Sequence, residues 1–167
     1  DLLSRDAIML KNKNVASYLS GKTILVTGAA GSIGSEICKQ VARANPGFLI
    51  MLDKAESPLH EHEIRLESEF QDLGLQTVLA DVTDEGNLEH IMKTYRPEVI
   101  FHAAAYKHVP MMERYPIQAV RCNVLGTKTV ADLAVRYGVE KFVLVSTDKA
   151  VNPTNVMGAS KRIAEMY

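Results

Sequence analysis

Short apolar runs rich in β-branched residues recur along this chain, and polar, periodic segments separate them. The runs cover residues 23–27, 48–52, 77–80, 99–102 and 142–146. Continuous apolar runs of this length are typical of strands that are buried on both faces of a parallel sheet. The alternation of such strands with helical periods predicts a doubly wound α/β fold, with strand order 3-2-1-4-5 and helices on both faces.

Two of the helices carry local signals for their bounds. Ser57 and Pro58 are residue types preferred at the N-cap and in the first turn, so a helix is predicted to begin there. The longest helix is predicted over residues 117–137, with Gly138 as its C-cap. Its buried stripe is expected to consist of Val120, Val124, Thr127, Ala131 and Ala134.

The length and the two ends of the chain suggest one domain that belongs to a longer protein. A chain of 167 residues is long enough for one compact unit. Residues 1–20 show no strong period and are interpreted as a lead-in segment before the domain, which covers residues 21–167. The chain starts at Asp1 and stops at Tyr167 inside a helical pattern, so we expect a fragment.

Composition narrows the classes of function. Nineteen basic residues stand against twenty acidic ones, so the chain lacks the basic surplus on which nucleic-acid binding depends. Cys38 and Cys122 have no metal-ligand spacing, which predicts neither a metal site nor a disulfide framework and favours a reducing compartment. The sequence has no apolar run of about 18 residues and no signal-peptide pattern, so this segment is expected to make no membrane contact.

A glycine-rich turn, TGAAGSIG at residues 27–34, follows the first strand and opens the first helix. Its GxxGxxG spacing in this context indicates a dinucleotide-binding turn and makes residues 21–167 a candidate Rossmann domain. Glycine tolerates positive φ and lets backbone approach a pyrophosphate, and the helix N-terminus offers unpaired N–H groups. The alternative is an ordinary glycine-rich turn. Cofactor contacts are expected from Gly28, Ala30, Gly31, Ser32, Ile33 and Gly34.

An acidic residue ends the second strand. Asp53 lies nineteen residues after Gly34, where a carboxylate accepts hydrogen bonds from the adenosine ribose hydroxyls. Because a carboxylate repels a ribose 2′-phosphate, NAD is favoured over NADP. Lys54 follows directly and offsets part of that repulsion, so NADP stays possible.

Residues after the third and fourth strands complete the expected cofactor site. Asp81, next to Val82, either accepts a hydrogen bond from the adenine amino group or belongs to the cap of the helix near Asp84. Small side chains after the fourth strand let the backbone lie close beneath a cofactor. These are Ala103, Ala104 and Ala105.

Three stretches together carry a family resemblance. They are TGAAGSIGSE from residue 27, HAAAYKHVPMME from residue 102 and STDKAVNPTNVMGASKR from residue 146. They resemble the extended short-chain dehydrogenase/reductases and, among these, the CapD-like polysaccharide biosynthesis proteins, which are nucleotide-sugar 4,6-dehydratases. The resemblance runs from about residue 21 to the end and extends to the long, membrane-anchored branch of that family.

The resemblance implies a reaction and roles for residues. C4 of a nucleotide sugar would be oxidised by NAD, the C5 proton and the C6 hydroxyl would be lost, and the hydride would return to C6. By position, Thr147 would bind the C4 hydroxyl, Asp148 would protonate the departing C6 oxygen and Lys149 would remove the C5 proton. Lys161 would hold the nicotinamide ribose. Met157 stands where most of the superfamily has an acid/base tyrosine, and a thioether cannot transfer a proton.

The same resemblance implies a UDP-N-acetylhexosamine substrate and further site residues. Lys107 would meet a substrate phosphate or hydroxyl, unless it lies in a solvated loop. Asn123 is a candidate for substrate binding or for hydrogen bonds that support the backbone around the site. His102 is expected to be a packed, hydrogen-bonded residue.

Other interpretations stay open. A nucleotide-sugar epimerase shares the C4 oxidation, but it needs no C5 base, so the adjacent Asp148 and Lys149 argue against it. A catalytically silent dinucleotide-binding module is the second alternative, suggested by Met157. Without the flanking motifs, Asp148 and Lys149 would be interpreted as a surface ion pair and Met157 as a core residue.

The resemblance also sets expectations for the whole protein. It implies a cytoplasmic enzyme whose longer chain is anchored in the inner membrane by a segment absent here. The present chain would be cut before the last strands and the substrate subdomain, and would bind cofactor better than it catalyses. A homo-oligomer is open by analogy, because helix faces in this superfamily often form dimers.

Overall fold

Five parallel strands form the sheet in the computed structural model, which describes residues 13–167. They are β1 (Thr23–Thr27), β2 (Phe48–Asp53), β3 (Leu75–Leu79), β4 (Val99–His102) and β5 (Lys141–Leu144). Hydrogen bonds join them in the order β3-β2-β1-β4-β5, which confirms the predicted strand order and the Rossmann-like class. β1 lies at the centre, where Ile24 pairs with both Leu49 and Val99.

Helices connect the strands. Within residues 13–167 they are α1 (Lys13–Leu19), α2 (Ser32–Arg43), α3 (Glu56–Glu69), α4 (Glu85–Tyr95), α5 (Val109–Arg114), α6 (Pro116–Ala119), α7 (Thr127–Arg136) and α8 (Val156–Met166). A π-helix (Val120–Gly126) joins α6 to α7, and a short 3-10 turn (Asp148–Ala150) follows β5. Each helix among these residues is too short or too polar to cross a membrane.

Two apolar cores lie on opposite faces of the sheet because successive side chains of a strand point to opposite faces. Ile24 and Val26 of β1 belong to the core that packs against α1, α2 and α3. Leu25 points the other way, into the core shared with α4 and α7. All three side chains are fully buried, which is why β1 is a continuous apolar run in the sequence.

The lead-in segment is described in part. Residues 1–12 lie outside the described residues. Residues 13–19 form α1, whose last residue, Leu19, is buried in the core beside α2 and α3. This end of the lead-in therefore packs on the domain.

The edge strands depart from their predicted bounds. β3 begins at Leu75, two residues before the predicted start, because Leu75 and Gln76 pair with Leu49 and Ile50 of β2. β5 ends at Leu144 instead of residue 146. Both are outer strands of the five-stranded sheet, and their half-exposed side chains give a weaker apolar signal than the central strands.

The predicted N-cap at Ser57 is wrong. α3 begins at Glu56 with Ala55 as its N-cap, so Ser57 lies inside the helix and its hydroxyl donates to the Glu56 carboxylate. The cause is Asp53, whose Oδ1 accepts a hydrogen bond from the Ala55 N–H at 2.9 Å. That side-chain turn starts the helix two residues earlier than the sequence signal indicated.

The long helix over residues 117–137 is interrupted by the π-helix, and its buried stripe differs from the prediction. Val120 is 44% exposed, and Val124 and Ala131 are only half-buried, although Thr127 and Ala134 are buried. The buried side of the π-helix consists instead of small and polar residues: Cys122, Asn123 and Gly126. Gly126 is required by close packing, because a Cβ there would lie 2.8 Å from Cγ2 of Val82.

Candidate functional site

A cavity of about 210 Å³ opens at the carboxyl ends of the central strands. Ligands of open α/β sheets bind at this edge. Nine of the predicted cofactor residues line the cavity: Gly28, Gly31, Asp53, Lys54, Asp81, Val82, Ala103, Ala104 and Ala105. Ala30, Ser32, Ile33, Gly34 and Lys161 are outside its lining.

The glycine turn between β1 and α2 depends on missing side chains. Gly28 has φ of 71°, and a Cβ on it would lie 2.5 Å from the backbone nitrogen of Ala104. A Cβ on Gly34 would lie 2.0 Å from the Gly28 carbonyl oxygen. Gly31 is the N-cap of α2, and no side chain caps that helix, whose first residues, Ser32 and Ile33, are exposed. The turn therefore presents backbone N–H groups to an anion.

Asp53 ties the glycine turn to the end of β2. Its Oδ2 accepts a hydrogen bond from the Ala30 N–H at 2.9 Å, and its Oδ1 accepts one from the Ala55 N–H at 2.9 Å. An ionised carboxylate has about four acceptor positions, so two remain for ligand hydroxyls. Asp53 thus both shapes the turn and keeps acceptors for the cavity.

Three charged or polar residues that line the cavity, which we name the lysine clamp, contact one another: Lys54, Asp81 and Tyr106. The Lys54 ammonium donates to the Tyr106 hydroxyl at 2.7 Å, lies 4.6 Å from the centre of its ring and is 3.4 Å from Oδ2 of Asp81. Burial lowers the pKa of Lys54, but Tyr106 and Asp81 outweigh it and raise that pKa overall. The clamp therefore holds a charged ammonium.

Asp81 is not the N-cap of α4, since Asp84 takes that position and accepts from the Asn87 N–H. Oδ1 of Asp81 instead accepts from the backbone N–H and the hydroxyl of Thr83, at 3.0 and 2.9 Å. Burial raises the pKa of Asp81, but these hydrogen bonds and Lys54 lower it overall. Asp81 is thus not the N-cap residue itself, but its carbonyl oxygen accepts a hydrogen bond from the Asp84 N–H, so it belongs to the turn that leads into α4. The adenine contact stays a prediction.

His102 is buried beneath the site between two threonines. Its Nδ1 lies 2.6 Å from the Thr27 hydroxyl and its Nε2 lies 3.0 Å from the Thr127 hydroxyl. Since the Thr127 hydroxyl donates to the Asn123 carbonyl, Nε2 must carry the hydrogen and Nδ1 must accept from Thr27. Burial, aided by the nearby Lys161 charge, lowers the pKa of His102 to about 3. The ring is therefore neutral.

Asn123 joins the loop after β4 to α8. Its Oδ1 accepts from the Tyr106 N–H at 2.8 Å, and its Nδ2 donates to the Tyr106 carbonyl at 3.0 Å and to the Ser160 hydroxyl at 2.9 Å. The residue is fully buried. This contact pattern is that of backbone support, and it leaves no exposed atom of Asn123 for a substrate.

The residues after β5 are at the surface. Thr147 donates to Oδ1 of Asp148 at 3.0 Å, and the Lys149 ammonium lies 3.5 Å from the same oxygen. The side chains of Asp148 and Lys149 are 89% and 52% exposed. The hydrogen bond from Thr147, followed by the Lys149 charge, lowers the pKa of Asp148. Lys107 is also exposed, in the loop after β4.

Met157 and Lys161 lie on α8 and are both buried. Met157 packs with Met112 and Ala119 in an apolar cluster, and its thioether cannot transfer a proton. The Lys161 ammonium donates to the Val145 carbonyl at 2.6 Å, and burial lowers its pKa. The side chains predicted to be catalytic thus divide into an exposed group after β5 and a buried pair on α8.

Sequence reasoning gave no role to several residues that shape this site. The sequence predicts no part in the site for Tyr106, Thr27 or Ser160, and it predicts Thr127 only as a buried helix residue, because each acts through a tertiary hydrogen bond. The available signal was the polarity of Thr27 and Thr127 at positions facing apolar neighbours, since buried polar groups need partners.

Comparisons of the sequence with known proteins agree on a family. The profile of the polysaccharide biosynthesis protein family matches residues 24–167. The probable polysaccharide biosynthesis protein EpsC of Bacillus subtilis and the capsular polysaccharide biosynthesis protein CapD of Staphylococcus aureus are each 48% identical over 99% of this chain. The chain spans only 28% of either protein. The inverting UDP-N-acetylglucosamine 4,6-dehydratase of Campylobacter jejuni is 34% identical over 85% of this chain, which spans 41% of it.

Solved structures show the same fold. UDP-glucose 4-epimerase of Thermotoga maritima, with UDP-glucose, superposes with a TM-score of 0.77 at 28% identity, covering 87% of this chain and 49% of the epimerase. WbmG of Bordetella bronchiseptica, in complex with NAD and UDP, has a TM-score of 0.73 at 25% identity. It covers 88% of this chain, which matches 49% of WbmG.

Proposed function

Because this chain belongs to the polysaccharide biosynthesis protein family of extended short-chain dehydrogenase/reductases, we propose that it is the NAD-binding part of a nucleotide-sugar 4,6-dehydratase. The proposed substrate is a UDP-N-acetylhexosamine. The proposal places the reaction in the cytoplasm, on a longer protein that is anchored in the inner membrane outside residues 1–167.

The observation that carries the proposal is the donor and acceptor set around the cavity. The glycine turn brings bare backbone to the N-terminus of α2, which suits a pyrophosphate. Asp53 keeps acceptor positions that suit ribose hydroxyls, and the small residues 103–105 leave room beside them. These residues fit a dinucleotide. A bound nicotinamide cofactor would supply hydride acceptance at C4 and hydride return at C6 of the sugar.

The chain's own residues would act on the sugar beside the cavity. Lys161, whose ammonium is held at the end of β5, would bind the nicotinamide ribose. Thr147 would orient the C4 hydroxyl, and Lys149 would take the C5 proton, which a 4-keto group makes acidic. Asp148 would protonate the departing C6 oxygen.

The Asp148 role sets a requirement on the substrate complex. Thr147 and Lys149 keep the pKa of Asp148 below its ordinary value, so its carboxyl is ionised at neutral pH in the described form. A general acid must instead be protonated. We propose that a bound sugar separates Lys149 from Asp148 and removes water from the carboxyl, and both changes raise its pKa.

An epimerase is the second candidate, supported by the likeness to the Thermotoga maritima enzyme. The position of Lys149 within 3.5 Å of Asp148, next to Thr147, favours the dehydratase. Elimination needs both a base at C5 and an acid at C6, whereas epimerisation at C4 needs neither. Because Met157 cannot accept a proton, the proton of the C4 hydroxyl must be taken in either reaction by a group other than the side chain at position 157.

The test incubates the full-length protein with NAD and UDP-N-acetylglucosamine in deuterated water. A dehydratase yields a 4-keto-6-deoxy sugar, which NMR identifies by its C6 methyl group and by deuterium at C5. Lys149→Gln should abolish the formation of this product. Lys141→Gln, which removes an exposed lysine at the start of β5, is the matched control and should keep the activity. Formation of the C4 epimer without deuterium at C5 would support the epimerase. NAD binding without product from a range of UDP-sugars would support the silent module.

A further inference from the structure

The Lys54 ammonium is engaged by residues other than Asp53, the residue that is proposed to bind the adenosine ribose. Asp53 is its chain neighbour, yet the Lys54 ammonium contacts the hydroxyl and ring of Tyr106 and the carboxylate of Asp81. Tyr106 is 52 positions away along the chain, in the loop after β4. Lys54, which follows β2, therefore contacts residues that follow β3 and β4.

Tyr106 is fixed independently of Lys54. Both of its backbone groups are hydrogen-bonded to the side chain of Asn123, which is fully buried in the π-helix. Its ring packs against the core beneath α4 and α7. The π-helix therefore holds the Tyr106 backbone in place, and the Lys54 ammonium donates to the Tyr106 hydroxyl from the end of β2.

The clamp also forms a partition. Lys54, Asp81 and Tyr106 line the cofactor cavity and also a second cavity, which is bordered by the π-helix and α7. The lysine stem and the tyrosine ring thus close one wall of the cofactor cavity. An ammonium held in that wall by three contacts is not available to neutralise a group beside Asp53.

We propose that Tyr106 and Asp81 determine the choice between NAD and NADP by holding Lys54 away from the ribose 2′ position. Asp53 repels a 2′-phosphate, and a lysine in the next position is the natural group to offset that repulsion. Because Tyr106 and Asp81 hold the Lys54 ammonium, the repulsion between Asp53 and a 2′-phosphate is not offset. This inference rests on the proposed function, because it requires that the cavity binds a dinucleotide.

The test measures equilibrium binding of NAD and of NADP to the chain by calorimetry. Tyr106→Phe removes one charged hydrogen bond and keeps the ring. The release of Lys54 should raise the ratio of NADP to NAD affinity by about threefold to tenfold, because the net contribution of such a hydrogen bond is of this size. Tyr137→Phe is the matched control. Tyr137 follows the last residue of α7, and its hydroxyl donates to Glu89 of α4. The control should leave both affinities unchanged.

Lys54→Met supplies a second, independent comparison. In the native background it should shift the ratio of NADP to NAD affinity by less than about twofold, because the clamp already keeps the Lys54 ammonium from the 2′-phosphate. In the Tyr106→Phe background it should abolish the gain in NADP affinity. A selective loss of NADP affinity of fivefold or more on Lys54→Met alone overturns the inference, as does an unchanged ratio in Tyr106→Phe. A native chain that binds neither dinucleotide overturns the proposed function and the inference with it.

Discussion

The buried, neutral His102 predicts a steep loss of stability in mild acid. Its pKa is lowered from 6.5 to about 3 in the folded chain, so below pH 6.5 the unfolded chain binds a proton that the folded chain does not. Stability is then fully present above pH 6.5 and falls with decreasing pH until about pH 3. Between pH 7 and pH 5 this linkage removes about 2 kcal/mol from the free energy of unfolding.

The window from pH 7 to pH 5 isolates this residue. The pKa of some carboxylates, such as those of Asp81 and Glu98, is lowered in the fold. Their contribution to the free energy of unfolding is present above about pH 4 to 5 and is lost only at lower pH, outside this window. The Lys161 charge adds to the effect at His102, because it further disfavours a second positive charge nearby.

Urea unfolding of the chain at pH 7, 6 and 5 measures the effect. His102→Gln keeps a donor and an acceptor for Thr127 and Thr27 but does not titrate, so its unfolding free energy should change about 2 kcal/mol less than that of the native chain over this range. His90→Gln, at an exposed histidine of α4, is the matched control and should retain the native slope. The reasoning is refuted if His102→Gln and the native chain lose stability in parallel, within about 0.5 kcal/mol.

Two further predictions concern packing. Gly34→Ala forces a Cβ to within 2.0 Å of the Gly28 carbonyl oxygen, so it should lower the free energy of unfolding by about 1–3 kcal/mol and abolish calorimetric NAD binding. Gly86→Ala, where the nearest atom is 3.7 Å away, should be neutral or stabilising by up to about 1 kcal/mol; equal effects of the two substitutions would contradict the close-contact argument. Asn123→Leu leaves the backbone groups of Tyr106 buried without partners and should cost about 3 kcal/mol in urea unfolding, and a loss below about 1 kcal/mol would show that water or other groups replace the amide.

The central part of the fold could be predicted because its signal is local. β1 and β4 match their predicted bounds, since both are buried on two faces and read as uninterrupted apolar runs. The edges were less predictable: β3 alternates between half-exposed and exposed residues, and its first residues join the sheet through pairing with β2. The strand order was predicted from the alternation of strands and helices, and the sheet confirms it.

The site was predictable where side chains follow strands and unpredictable where distant residues meet. Asp53 and Asp81 follow directly from their positions after β2 and β3, and both line the cavity. The clamp needs a contact between residues 52 positions apart, for which one sequence contains no signal. The π-helix is similar: an ordinary helical period placed Val120 inside, whereas the hydrogen bonds of Asn123 and the close approach of Gly126 decide which side is buried.

The central position of β1 also bears on the order in which the fold forms. β1 is joined to β2 by a single helical connection, but each of its pairs with β4, from Ile24–Val99 to Thr27–His102, joins residues 75 positions apart along the chain. Pairings between residues far apart in sequence form slowly, because the intervening chain must be closed first. The half made of β1, β2 and β3 can therefore assemble during synthesis. The pairing of β1 with β4 and the contact of Thr27 with His102 form later, after β4 has been synthesised. A ribosome-bound chain that ends before β4 would expose the side of β1 that the later half covers, and this is the stage at which the protein is most open to aggregation.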